Sequence, residues 1–176
     1  MKRALLSIFT LLSFFSCFAQ SETVTLAKLK FELPNNKWKI NNDEFKQAFI
    51  YNYEREAIID KQGTRIIPVI AFIVETIPAG TDVVQYSIAK RSSDRRGLKI
   101  SEVFSWDTNK TKITYKNAVG YKGTYIDDDT GKEHTIYWIH LINNDKGVQV
   151  IMDMTSELVV KYGAEFLKSI ESIRSY

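Results

Sequence analysis

Apolar and polar positions alternate with a period of two along much of this chain, and in one stretch the alternation gives way to apolar positions on both sides. In Glu133–Asn143, EHTIYWIHLIN, one register reads His134, Ile136, Trp138, His140 and Ile142, and the other Thr135, Tyr137, Ile139 and Leu141. Successive strand side chains point to opposite faces, so this segment predicts a central strand buried on both sides. Such a strand needs cover on two faces, which predicts a three-layer protein with helices above and below a sheet. Residues 65–77, RIIPVIAFIVETI, are a second segment apolar in both registers. There Pro68 removes a ladder donor, so regular pairing is expected to start after it or at a bulge.

Residues 23–33 alternate with one wet register and predict an outer strand. Pro34-Asn35-Asn36 predicts a turn, and Trp38 to Ile40 a short strand. Within residues 45–59 an extended run places Phe49, Tyr51 and Tyr53 on one face. Thr81 is the expected N-cap of a helix running to about residue 91, with Asp82 in its first turn and Val83, Val84 and Ile88 as its apolar stripe. Residues 100–106 and 112–115 predict a strand pair around Asp107-Thr108-Asn109. Ala118–Ile126 continues the sheet, with Gly120 and Gly123 where a side chain would crowd a neighbour.

Reverse turns at residues 127–132 and 143–147 make the strands on either side of them a three-stranded meander ending near Met154. Thr155 or Ser156 then caps a final helix. Leu158, Tyr162, Phe166 and Ile170 recur every four residues, and Val159, Leu167 and Ile173 widen the stripe. Gly163 within it costs about 1 kcal/mol of helix propensity relative to Ala, so a packing reason is expected.

The first residues change what counts as the folded protein. Met1-Lys2-Arg3, twelve apolar residues from Ala4 to Phe15 and the small residues before Gln20 form a secretory signal pattern, too short to span a bilayer. The expected division is a signal peptide over residues 1–19, cleaved after Ala19, and a single domain over 20–176. The rival reading is lipidation at Cys17, giving a membrane-anchored lipoprotein. Cys17 is the one cysteine, so the exported domain carries no disulfide and no thiol chemistry. Loss of Lys2 and Arg3 lowers the net charge from +3 to +1, which does not suit binding nucleic acid by counterion release.

A leading strand ending in Leu33-Pro34 with Trp38 beyond it, a meander of long strands, and a C-terminal helix carrying Phe166-Leu167-Lys168-Ser169-Ile170 together resemble the PsbP-like fold. That group includes PsbP subunits of photosystem II, a yeast Ran-binding import factor and bacterial exported proteins of the DcrB type. The resemblance implies an α+β chain, an α/β/α sandwich around a mainly antiparallel, meander-rich sheet with the C-terminal helix on one face. It also implies an accessory or binding role without catalysis, and it carries over no functional residues.

Candidate chemistry is sparse. His134 and His140 are the only histidines, and six strand residues span roughly 20 Å, so the pair is too far apart to share a zinc ion. His134, beside the acidic turn, is either a lone acid–base group or a hydrogen-bonded strand-end residue. His140 reads as a core histidine. Asp127, Asp128, Asp129 and Glu133 lack the alternating ligand spacing of a calcium loop and read as a solvated turn. The run Lys90-Arg91, Arg95-Arg96 and Lys99 reads as a solvated helix end, the alternative being contact with an anionic surface. No nucleophile elbow, dinucleotide fingerprint or P-loop occurs.

The expectation is therefore an exported accessory or partner-binding protein of a bacterial envelope, periplasmic or secreted, with no catalytic residues, metal or cofactor. Its partner would be another envelope or secreted protein, with a membrane involved only through Cys17. The alternative is a small-ligand or glycan binder using Tyr51, Tyr53, Tyr121, Tyr125 and His134. A hydrolase-type enzyme using His134 comes last.

Overall fold

The computed structural model describes residues 20–41, 49–105 and 113–176. The described strands are β1 (Ser21–Val24), β2 (Leu29–Glu32), β3 (Trp38–Ile40), β4 (Ile50–Arg55), β5 (Ile58–Ile59), β6 (Arg65–Ile66), β7 (Val69–Thr76), β8 (Lys99–Ser105), β9 (Ala118–Ile126), β10 (Glu133–Asn143), β11 (Lys146–Thr155) and β12 (Arg174–Ser175). The helices are α1 (Val83–Ser92) and α2 (Ser156–Ser172). The fold is α+β, built on a seven-stranded antiparallel sheet in the order β3-β4-β7-β11-β10-β9-β8. A three-stranded sheet, β1-β2-β12, and the ribbon β5-β6 complete it.

β10 sits between β9 and β11, and Thr135 to Ile142 are all buried, as its two apolar registers require. Its odd register meets α2: the Tyr137 ring lies 6.0 Å from Phe166. Its even register meets α1, through a hydrogen bond between the His140 ring and the Ser87 hydroxyl. The two helices therefore sit against opposite faces of β10. The larger core is on the α2 side, where Ile70, Phe72, Val148, Val150, Met152, Phe166 and Ile170 pack together. The small sheet seals the β4–β7 part of that face, with Phe31 4.5 Å from Phe72 and 5.0 Å from Tyr53. Gly163 has its packing reason: an added Cβ would stand 3.1 Å from Val159 Cγ1 and 3.6 Å from the Tyr137 hydroxyl, which passes directly beneath.

The chain breaks at Pro68 between β6 and β7, as expected, and the β9–β10–β11 meander has the expected turns, with Asn143 opposite Lys146 and Asn144 in the left-handed region at φ 55°. Residues 23–33 do not form one strand. They divide into β1 and β2 around a 3₁₀ turn, Thr25–Ala27, with Lys28 at φ 50°, and the halves pair with each other. Residues 113–115 form no strand, and the partner of β8 is β9. The turn expected at residues 107–109 lies outside the described residues.

α1 departs most from its expected form. Its N-cap is Asp82, whose carboxylate accepts from the Val84 and Gln85 amides at 2.8 and 2.9 Å, one residue later than the expected Thr81. The buried side is Tyr86 and Ser87. Val84 and Ile88, expected to face the core, are 58% and 57% exposed. The face of β10 and β9 beneath the helix is lined by His140 and Tyr121, so polar and aromatic side chains match it and the aliphatic ones are turned away.

Candidate functional site

Two polar clusters lie on the α1 side of the sheet, and they contain the histidines and two of the four tyrosines singled out from the sequence. The first joins α1 to the sheet centre. Ser87 Oγ stands 2.9 Å from His140 Nδ1 and 2.7 Å from the Tyr121 hydroxyl. The ring of His140 is boxed by Trp138 at 4.6 Å and by Tyr86 and Tyr121 at 5.8 Å. His140 is 0% exposed, and its Nε2 is buried without a hydrogen-bond partner among the described residues. Burial, with the Lys90 and Arg91 charges adding to it, pushes the His140 pKa down to about 3, so the ring is neutral. A hydroxyl at 2.9 Å from an imidazole has the spacing of a nucleophile and its base. Here Ser87 and His140 are both fully buried, which leaves no room for a substrate.

The second cluster is at the strand ends near the acidic turn. His134 Nδ1 lies 2.8 Å from Asp153 Oδ1, and the Tyr125 hydroxyl donates to the other oxygen of the same carboxylate. Burial works against the charged imidazole, but Asp153 outweighs it and holds the His134 pKa above its ordinary value. The Tyr125 pKa is raised by burial and by the Asp153 carboxylate. His134 is thus a hydrogen-bonded strand-end residue with its side chain 18% exposed.

The four tyrosines do not converge. Tyr121 and Tyr125 face α1, whereas Tyr51 and Tyr53 pair with Phe72 and Ile70 and so point to the α2 face, where Tyr53 is fully buried. Tyr51 and Tyr53 therefore lie on the face of the sheet opposite Tyr121 and Tyr125. Tyr121 and Tyr125 are in addition roofed by cations: Arg91 lies 4.6 Å over the Tyr121 ring, and Arg96 lies 5.6 Å over Tyr125 and 5.0 Å over Trp138.

In the acidic turn, Asp127 accepts from the Thr130 amide at 2.9 Å and its hydroxyl at 2.7 Å, so this carboxylate closes its own turn, and those bonds hold its pKa below the ordinary value. Lys132 reaches from the turn to Asp60, which also accepts from the Gln62 and Thr64 amides at 3.0 and 2.7 Å. Sequence reasoning passed over Asp60. The local signal is the Asp60-Lys61-Gln62-Gly63-Thr64 turn pattern, in which an aspartate bonds amides ahead of it; its Lys132 partner lies 72 positions away. A third polar cluster, also unanticipated, pins β3 and β4 to α2. Glu165 accepts from Trp38 Nε1 at 2.8 Å and Arg55 Nε at 3.0 Å, and Arg55 stacks 4.5 Å over Tyr162. Among the described residues no three His, Cys, Asp or Glu side chains are grouped as a metal site.

No protein-family profile matches the chain, and no curated protein matches its sequence. Solved structures do match its fold. LpqN of Mycobacterium tuberculosis, described as involved in cell envelope biogenesis, superposes with a TM-score of 0.58 at 12% identity, over 82% of this chain and 81% of that one. The Ran-binding protein Mog1p of Saccharomyces cerevisiae gives 0.55 at 7% identity, over 91% and 96%. The cyanobacterial PsbP of Synechocystis sp. PCC 6803 gives 0.53 at 11% identity, over 89% and 92%. At these identities the likeness concerns architecture alone, and the antiparallel seven-stranded sheet with its C-terminal helix is the PsbP-like fold.

Proposed function

We propose that this chain is a non-enzymatic accessory protein of a bacterial envelope, a PsbP-like α/β/α sandwich that docks a partner protein on the α1 side of its sheet. The observation that carries this reading is the outward placement of Val84 and Ile88. Two aliphatic side chains at i and i+4 stand in water on a helix whose other side is seated by polar groups. The polar clusters support it from the other direction, because both imidazoles are bonded within the fold. Export follows from the leader pattern of residues 1–19, with Ala19 cleavage or Cys17 lipidation deciding between a free and an anchored form. The fold likeness to LpqN agrees with an envelope setting.

The test is photo-crosslinking in the producing cell, with p-benzoylphenylalanine in place of Ile88 and, as control, in place of Lys161 on the outer side of α2. The expected result is a discrete adduct from position 88 only, whose protein component, once identified and purified, binds the unmodified chain saturably. Identical adducts from both positions, or none from position 88, would overturn the reading.

A further inference from the structure

The two flanks of α1 differ in chemistry. On one, Lys90 and Tyr86 both reach Glu75 on β7, at 2.6 and 2.7 Å, so charge is neutralised there. On the other, Val84, Ile88 and Arg91 follow at i, i+4 and i+7, and Arg91 lies over Tyr121 on β9. The sheet order places β8 beyond β9 on this same side. Ile100 and Val103 of β8 point to the α1 face, because their cross-strand partners Gly123 and Tyr121 lie on it. Val103 is 58% exposed. The Val84–Ile88 flank of the helix and the Ile100–Val103 register of the edge strand are thus the wall and floor of one trough.

A shallow cavity of about 230 Å3 opens at its end, lined by Arg91, Asp94, Gly97, Leu98, Ile100 and Trp138. Its rim is cationic. Arg91 and Arg95 are exposed, while Asp94, the acid between them, is held by Arg96 at 2.6 Å. An aliphatic floor beside exposed cations is complementary to a ligand that is both apolar and negatively charged. A lipid surface would favour a convex face with Trp, Phe or Leu projecting beside the cations. Here Leu98, Ile100 and Trp138 line a concavity, so these apolar groups do not project from a convex face.

Resting on the docking role proposed above, we infer that the trough between α1 and β8 receives an acidic peptide segment of the partner protein. An aliphatic side chain of that segment enters the cavity beside Leu98 and Ile100, and carboxylates on either side of it meet Arg91 and Arg95.

The experiment uses the purified exported protein and three probes: a fluorescent peptide alternating glutamate and leucine, its glutamine–leucine counterpart, and phosphatidylglycerol vesicles. Saturable binding of the glutamate peptide is expected, weakening with salt, and falling about tenfold or more in an Arg91→Glu/Arg95→Glu variant and in Ile88→Asp. The exposure of all three positions keeps both variants folded, which circular dichroism checks. Equal binding of both peptides, binding unaffected by either variant, no peptide binding, or binding to vesicles alone would each overturn the inference. A photo-adduct at position 88 without glutamate-peptide binding leaves docking standing and removes the acidic chemistry. Peptide binding without an adduct supports the trough chemistry and counts against the cellular docking role.

Discussion

Acid should act on this protein through His140. The ring is 0% exposed and neutral, with a folded pKa of about 3 against an ordinary 6.5. The unfolded chain therefore binds a proton that the folded chain refuses. The stabilisation is complete above about pH 6.5 and declines by about 1.4 kcal/mol per pH unit below it. Between about pH 7 and pH 4.5 the loss assigned to this one ring is about 2.7 kcal/mol, a large part of the stability of a domain this size. His140→Gln removes the titration while keeping a neutral polar side chain in the box. Its own stability at neutral pH is not the readout, because the comparison is between slopes. Urea unfolding followed by tryptophan fluorescence at several pH values in this range should show the wild type losing about 2–3 kcal/mol more than the variant. Stopping near pH 4.5 stays above the titration of Asp60, Asp127, Asp145 and Glu165, which their hydrogen bonds hold down. Parallel pH profiles for the two proteins would refute the assignment of a buried, neutral His140.

The other titrating clusters make predictions of opposite sign or different location. His134 has a raised pKa, so its pairing with Asp153 is fully stabilising below about pH 6.5 and fades as the pH rises through the folded value. An NMR titration should find its pKa above 6.5, and Asp153→Asn should bring it to 6.5 or lower, since burial alone pushes it down; an unchanged value would dismiss the pair. Burial pushes the Glu165 pKa up, but Arg55 and Trp38 outweigh this and hold it below its ordinary 4.5, so this contribution is present above that pH and lost as pH falls through the folded value. Glu165→Gln strands Arg55, whose side chain is 6% exposed, and should cost about 3–5 kcal/mol in urea or thermal unfolding; a loss below roughly 1 kcal/mol would show the pair to behave as a surface one. Gly120→Ala places a Cβ where the Phe104 ring now lies and should cost about 1–3 kcal/mol, whereas an unchanged melting temperature would mean the ring moves aside freely.

What the chain discloses about itself follows from how local each cause is. β10 is readable because eight consecutive buried residues leave no wet register, and α2 because its stripe lies on an aliphatic core. The break at Pro68 is readable from one residue's chemistry. Residues 23–33 mislead because the 3₁₀ turn at Thr25–Ala27 contains no Gly or Pro, and Lys28 takes the left-handed conformation unannounced. The tyrosines mislead because alternation assigns each to a face of its own strand. Which face two distant strands share depends on the register of β4 on β7 and of β9 on β10, and that is set by pairing across the sheet. The Asp60–Lys132 and Arg55–Glu165 pairs span 72 and 110 positions and leave no local trace of each other.

The inversion of α1 connects these threads. A periodicity argument places aliphatic residues inside because it assumes an aliphatic partner surface, and that assumption fails where the sheet beneath presents His140, Tyr121 and, at one side, Glu75. Ser87 and Tyr86 match those groups, so they take the inner side of the helix and Val84 and Ile88 are left outward. Polar seating ties the attachment of α1 to a neutral His140, since a protonated ring would put a cation into a box already facing Lys90 and Arg91. The same seating leaves two aliphatic side chains for an outside contact, whereas an aliphatic inner side would have buried them. The helix held by hydrogen bonds is for that reason the part of this fold that offers aliphatic side chains to an outside contact.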